Sequence, residues 1–155
     1  MAHLAIVVDD APDRRDRFVA GARRLFESLP GLAIGERRHG PWACIWAAGP
    51  RAPIDVHEDP DGCSIFIGYG VAADDRRVAA SDLRADWLAP AGRPRLHDGY
   101  HIGVAWSPPA GLVAGVDAMG MFPLQWAGLG GAGPLVAATT PEVFRSHSSF
   151  DARID

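Results

Sequence analysis

The chain has 155 residues, 48% of them hydrophobic and 22% charged, with a formal net charge of −4. That is the size and composition of one soluble globular domain with its own core, and it excludes a disordered or collagen-like chain. The negative balance argues against nucleic acid as a partner, because a basic stripe that neutralises phosphates supplies most of that affinity.

His3 to Asp9 (HLAIVVD) is a short apolar run with β-branched residues and reads as a buried strand. Pro12 and Asp13 open a helix that runs to about Leu29, with Phe18, Ala22, Leu25, Phe26 and Leu29 on one face and arginines on the others. Pro30-Gly31 stops it. Trp42 to Ala48, Ile54 to Glu58 and Cys63 to Tyr69 follow as strands, the last two joined by the turn Asp59 to Gly62 (DPDG). Ser81 is placed to cap a helix over Asp82 to Leu88, which Pro90 ends. Tyr100, Ile102, Val104 and Trp106 alternate with smaller or polar residues, the period of a half-buried strand. Further strands are expected over Leu112 to Val116, Phe122 to Ala127 and Leu135 to Thr139, with a glycine-rich turn from Gly128 to Gly133. Pro141 to Phe144 reads as a helical turn. The pattern is α+β: mostly antiparallel strands with one or two helices and no internal repeat.

The helical pattern is too short and too charged to span a bilayer, and no basic segment precedes an apolar core at the N-terminus, so the expected location is cytoplasmic. The fifteen basic residues are all arginine, and lysine and asparagine are missing altogether. A Schiff-base lysine, a P-loop lysine and an asparagine oxyanion donor are therefore excluded. His97 and His101 flank Asp98 in HDGYH, which on a helix would put both imidazoles on one face for a metal; Gly99 and the alternation after it indicate a turn into a strand instead, so no metal site is expected. No serine sits in a G-x-S-x-G elbow. GLGGAG (Gly128 to Gly133) has no helix signal after it and reads as a hairpin turn. Cys44 and Cys63 read as small buried hydrophobes, the five tryptophans as core, and the acid pairs Asp9/Asp10 and Asp74/Asp75 as solvated strand ends. These residues form no catalytic constellation.

The stretch DGYHIGVAWSPPAGLVAGVDAMGMFPLQWA (Asp98 to Ala127) nonetheless resembles a segment of asparagine synthetases and their relatives. Asp98-Gly99 match its opening, Trp106-Ser107-Pro108 its strand end, and Asp117, Gly120, Pro123 and Leu124 its later positions in register, with Gln125-Trp126 in place of an aromatic pair. VAATTPEVF (Val136 to Phe144) resembles the strand-to-helix corner that follows. Upstream, RRHGPWACIWA (Arg37 to Ala47), IFIGYG (Ile65 to Gly70) and Ser81-Asp82 are similar to the family's R-H-R-G-P-D, Asn-Gly-Glu and Gly-Ser-Asp segments. The resemblance implies the glutaminase domain of class II amidotransferases: an αββα sandwich of two mostly antiparallel sheets with flanking helices, of the N-terminal-nucleophile hydrolase type, over residues 1–145.

Carried over residue by residue, the resemblance implies an inert domain with no catalytic residue. An active member starts with a cysteine whose own α-amine serves as base for the thiol; here Ala2 follows Met1. The oxyanion-donating asparagine falls at Ile67, with Gly68 retained and Tyr69 in place of the glutamate; loss of one such donor typically costs ~10²–10³ in rate. The substrate-clamping arginine is displaced or replaced by His39. The vestigial pocket would then comprise Ala2, His39, Gly68, Tyr69 and Asp82. Inert domains of this kind are known in β-lactam synthetase, carbapenam synthetase and lasso-peptide cyclases. There the partner is an ATP-dependent synthetase domain, which binds ATP and Mg and acts on a peptide or small amino-acid-derived substrate. Residues 146–155 would begin the linker to such a domain, acting in cis, or else in trans on a free-standing homologue. No cofactor is expected in this chain itself. The contrasting expectation is a small stand-alone hydrolase or ligand-binding domain that uses His97, Asp98 and His101, and it requires a pocket with convergent polar groups.

Overall fold

The apolar run near the N-terminus becomes the middle of a sheet. In the computed structural model, which describes residues 2–89, 97–129 and 133–150, strand β1 (Ala2–Val8) pairs antiparallel with β3 (Trp42–Ala48) on one side and β9 (Leu135–Ala138) on the other. β2 (Ala33–His39) and β8 (Gln125–Gly128) form the edges, in the order β2-β3-β1-β9-β8. Alternation along β1 turns Ala5 and Val7 to one face, and the register sets Ile45 and Ala43 beside them on one flank and Ala138 and Val136 on the other. Helix α1 (Pro12–Glu27) lays Phe18, Val19, Ala22 and Phe26 across that row, and Val143 and Phe144 of the 3₁₀ helix Pro141–Ser146 complete the core. Burying each phenylalanine contributes about 1.5–3 kcal/mol.

These elements make one compact unit, from residues 2–51 and 123–150; Ala52–Phe122 make a second. In the second unit β4 (Ile54–Asp59), β5 (Gly62–Val71), β6 (Asp98–Ser107) and β7 (Gly111–Val116) form an antiparallel meander in sequence order. Helix α2 (Ala80–Trp87) packs Leu83 and Trp87 against Phe66 and Ala105. The class is α+β, with two antiparallel sheets that each carry a helix. No helix among the described residues is long and apolar enough to cross a membrane.

Several local expectations are corrected. Ser81 does not cap α2. The N-cap is Ala79, whose N–H donates to the Asp82 carboxylate at 2.9 Å, while the Ala80 N–H donates to Asp55 of β4 at 2.8 Å. The strand expected from Phe122 begins only at Gln125, since Pro123 has no N–H to give a ladder and Phe122 instead stacks on Tyr100 at 4.3 Å. Trp126 is 72% exposed rather than core, although Trp42, Trp46 and Trp87 are buried. β2 escapes the apolar pattern because its polar side chains are matched by ions: Glu36 takes Arg23 of α1 at 2.9 Å and also Arg38, which in turn reaches Asp16. The segment read as the start of a linker still packs in the first unit through His147, which is buried, and Phe150, which lies against Phe144. Cys44 and Cys63 are buried thiols, as read. The glycine-rich turn lies partly outside the described residues.

Asp9 is the largest departure. It is 3% exposed, not a solvated strand end. α1 has no side-chain cap of its own; Asp9 Oδ1 instead accepts the Ala11 N–H at 2.8 Å. The Arg14 guanidinium donates to both carboxylate oxygens at 2.7 Å. His147 Nδ1 accepts the Ser149 N–H, so Nε2 carries the hydrogen and donates to Asp9 Oδ2 at 3.0 Å. The Arg14 hydrogen bonds hold the Asp9 carboxyl far below the usual carboxylate range, against the opposing effect of burial. Because the folded pKa is depressed, this stabilisation is fully present above the unfolded value of ~3.9 and is lost as pH falls below it. Asp9→Asn is expected to cost roughly 2–3 kcal/mol at neutral pH, the scale of a hydrogen bond to a charged group. Urea denaturation at a series of pH values checks this: the gap between wild type and variant should shrink below pH ~4, and a constant gap contradicts it.

Candidate functional site

In the second unit the β5–β6 register sets Gly68 opposite His101 and Tyr69 opposite Tyr100, with Asp98 and Gly99 beside Val71 and Gly70 at the start of β6. Gly68 has φ +114°, and a Cβ there would stand 2.2 Å from the Tyr100 carbonyl oxygen. Only glycine lets the two backbones approach this closely. The approach seats the His101 ring against Phe66, stacked at 5.0 Å, with no exposed surface. Neither His101 nitrogen has a hydrogen-bond partner. Burial lowers its pKa, with the neighbouring His97 adding to the shift and the Asp117 carboxylate opposing it.

Asp117 and Gly120 shape the turn after β7. The Asp117 N–H donates to the His101 carbonyl at 2.9 Å, and its carboxylate accepts the N–H groups of Met119 and Met121 at 3.0 and 3.2 Å. Asp117 is 3% exposed, and burial alone would raise its pKa; surrounding backbone N–H groups outweigh this and hold it below the ordinary value. Its role is to fix the turn.

The residues carried over as a vestigial pocket do not all converge. Ala2 pairs with Ala48 at one end of the first unit's sheet, whereas His39 pairs with Trp42 at the other. Six residues of strand separate them, about 20 Å. Pro123 belongs to the same unit, ahead of β8. Gly68, Tyr69 and Asp82 lie in the second unit. Tyr69 is 56% exposed beneath the Arg77 guanidinium, which sits 5.4 Å from its ring centroid. Asp82 is engaged: it accepts two hydrogen bonds from Arg76, at 2.6 and 3.2 Å, besides the Ala79 N–H. The Arg76 bonds hold its carboxyl below the usual range.

What the second unit does assemble is a cavity of about 530 Å³, lined by the end of β5 and its following turn, by α2, and by His97 and Asp98. His97 and His101 are both buried, their rings 6.4 Å apart and inclined at 57°. His97 Nε2 lies 3.3 Å from Asp86 Oδ2, without the alignment of a hydrogen bond. Asp86 and Arg76 were missed by sequence reasoning. The available signal was the four-residue spacing of Asp82 and Asp86, which puts both on one face of α2. Among the described residues that line the cavity there is no serine, threonine or cysteine. Among the described residues no group of three or more His, Cys, Asp or Glu is placed to hold a metal ion. No protein-family model and no curated protein matches the chain.

Gly68→Ala combines a disfavoured φ with a backbone clash and is expected to cost more than about 2 kcal/mol. Gly111→Ala, at φ +78° with nothing within 4 Å of the added Cβ, should cost only about 1–2 kcal/mol. Thermal melts of the two variants check the contrast, and equal losses would show that the β5–β6 approach is not the constraint.

Proposed function

We propose that this chain is a non-catalytic, glutaminase-like domain that supports an ATP-dependent amide-forming ligase of the asparagine-synthetase-like kind, in the manner of lasso-peptide cyclases or β-lactam synthetase. The observation that carries the reading is the composition of β1. This strand occupies the middle of its sheet, the position that a nucleophile-bearing strand would need, and its sequence AHLAIVV contains no cysteine, serine or threonine. Ala2 stands where the attacking thiol would be required.

The remaining parts of a glutamine site are equally unsuited to hydrolysis. Ile67, at the position of the oxyanion-donating asparagine, is a buried apolar residue. Tyr69 points to solvent, and Asp82 is consumed by Arg76. Framework features are retained, above all the Asp117 turn after β7 and the Asp98-Gly99 start of β6. Tyr69, Val71, Tyr100, Met119 and Met121 are exposed apolar or aromatic side chains in the second unit, a surface of the kind that a partner domain covers. ATP and Mg belong to that synthetase domain, which supplies the adenylating chemistry, while this chain contributes support and substrate contact. The proposed setting is the cytoplasm.

The test is a glutaminase assay on the purified protein. The reading predicts ammonia release from glutamine no faster than the buffer background, and an Ala2→Cys variant with Met1 removed should stay at least ~10²-fold slower than an intact glutaminase site because Ile67 supplies no oxyanion donor. Turnover by the wild-type chain would overturn it.

A further inference from the structure

We propose that His101 is a proton-operated latch in the second unit: mild acidification charges its buried ring, and the first rungs of β6 open together with the turn that Asp117 holds. His101 is the first buried residue of β6, after the exposed Asp98, Gly99 and Tyr100. Its ring has no exposed surface, lies against Phe66 at 5.0 Å, and has no hydrogen-bond partner for either nitrogen. Two residues on, a Cβ at Gly103 would stand 2.6 Å from Leu83 and 3.0 Å from Trp87 of α2. The alternation of β6 therefore puts the His101 ring on the same, helix-covered face. Asp117 lies directly across from it, one step past the Ile102–Val116 pair, and its N–H donates to the His101 carbonyl at 2.9 Å. A neutral imidazole tolerates such a place, whereas an imidazolium brings a full charge and two N–H donors into it.

The groups around the ring decide which form the closed state keeps. β5 faces it with Phe66 and, directly opposite, Gly68, neither of them charged. From the end of β7 the Asp117 carboxylate favours the charged ring, but its Oδ1 already accepts the Met119 and Met121 N–H groups and its Oδ2 has no hydrogen bond to the ring. The His97 ring, 6.4 Å away, opposes a second positive charge. The α2 carboxylates are engaged elsewhere, Asp86 beside His97 at 3.3 Å and Asp82 with Arg76 at 2.6 Å. Burial outweighs Asp117 and holds the His101 pKa below its ordinary 6.5. Because the folded pKa is depressed, the closed state is fully favoured above pH 6.5 and loses ground as pH falls below it, where the opened strand takes up the proton more readily. The opening is local: residues 98–101 part from 68–71 at the exposed start of β6, and such ends open at the least cost. Tyr100, Met119 and Met121 are exposed side chains on these same elements, so the latch gives that surface a pH dependence.

Native-state amide hydrogen exchange between pH 7 and 5.5, corrected for the intrinsic rate, tests the latch. In the wild-type chain, protection at Asp117, Met121 and residues 99–102 is expected to fall about fivefold or more across this range, while α1 in the first unit keeps its protection. The Asp9 carboxylate acts only below pH ~4 and stays out of the window. His101→Phe keeps a flat ring beside Phe66 with no titrating nitrogen, and His101→Gln keeps a polar side chain that does not titrate. The fall should disappear in both. Ring NMR of the wild-type protein gives a reading that needs no variant: His101 should be mostly neutral at pH 6, where a free imidazole is mostly charged. A His101 ring mostly protonated at pH 6, protection that is constant in the wild type, or a fall that survives in either variant would each overturn the proposal. No glutamine and no synthetase enters these measurements, so the latch and the ligase reading fail separately.

Discussion

One buried carboxylate sets the geometry of the first unit. Asp9 stands at the point where β1 gives way to α1, and it must be solvated by the protein because water does not reach it. The fork of Arg14 and the Ala11 N–H supply that solvation from the helix, and His147 supplies it from the far end of the described chain. A residue early in the sequence is thereby tied to one 138 positions later. The direction in which α1 leaves β1 follows from this clamp, and with it the alignment of Phe18 and Phe26 over Ala5 and Val7.

Elements driven by apolar periodicity were legible in the sequence. β3 reads as a strand because every residue of WACIWAA is buried, and α1 reads as a helix because its apolar positions recur at the helical period. What stayed hidden was organised by charge. β2 has no apolar alternation to reveal it, since Glu36 and Arg38 satisfy their neighbours ionically. Asp9 looks like one of an ordinary acid pair until the arginine five residues on and the histidine beyond the last strand are brought to it. The cap of α2 was misassigned to Ser81 for a related reason: the carboxylates that do the capping come from Asp82 inside the helix and from Asp55 in a different strand. Local propensity can name a favourable cap but cannot see one supplied from another element.

The candidate site shows the same division. HDGYH was legible as leading into a strand rather than lying on a helix, but not as a turn: β6 already starts at Asp98, and Gly99 pairs with Gly70 within it. The burial of His97 and His101 was not legible, because it depends on the close β5–β6 approach at Gly68 and on α2 bringing Asp86 to the same cavity. Polar groups in the second unit fall into two sets. Arg76 and Asp82 are internally satisfied and act as structure, whereas His97, His101 and Asp117 Oδ2 keep buried atoms without a hydrogen-bond partner.

The proposed role of the chain is support, and not chemistry, in amide formation. The most direct measurement is the steady-state rate of an ATP-dependent synthetase domain of the proposed kind, with and without this chain, in buffer free of glutamine. The account predicts faster amide formation when the chain is present and no further gain on adding glutamine. A synthetase domain that runs equally well alone, or one whose rate rises only when glutamine is supplied through this chain, would contradict it.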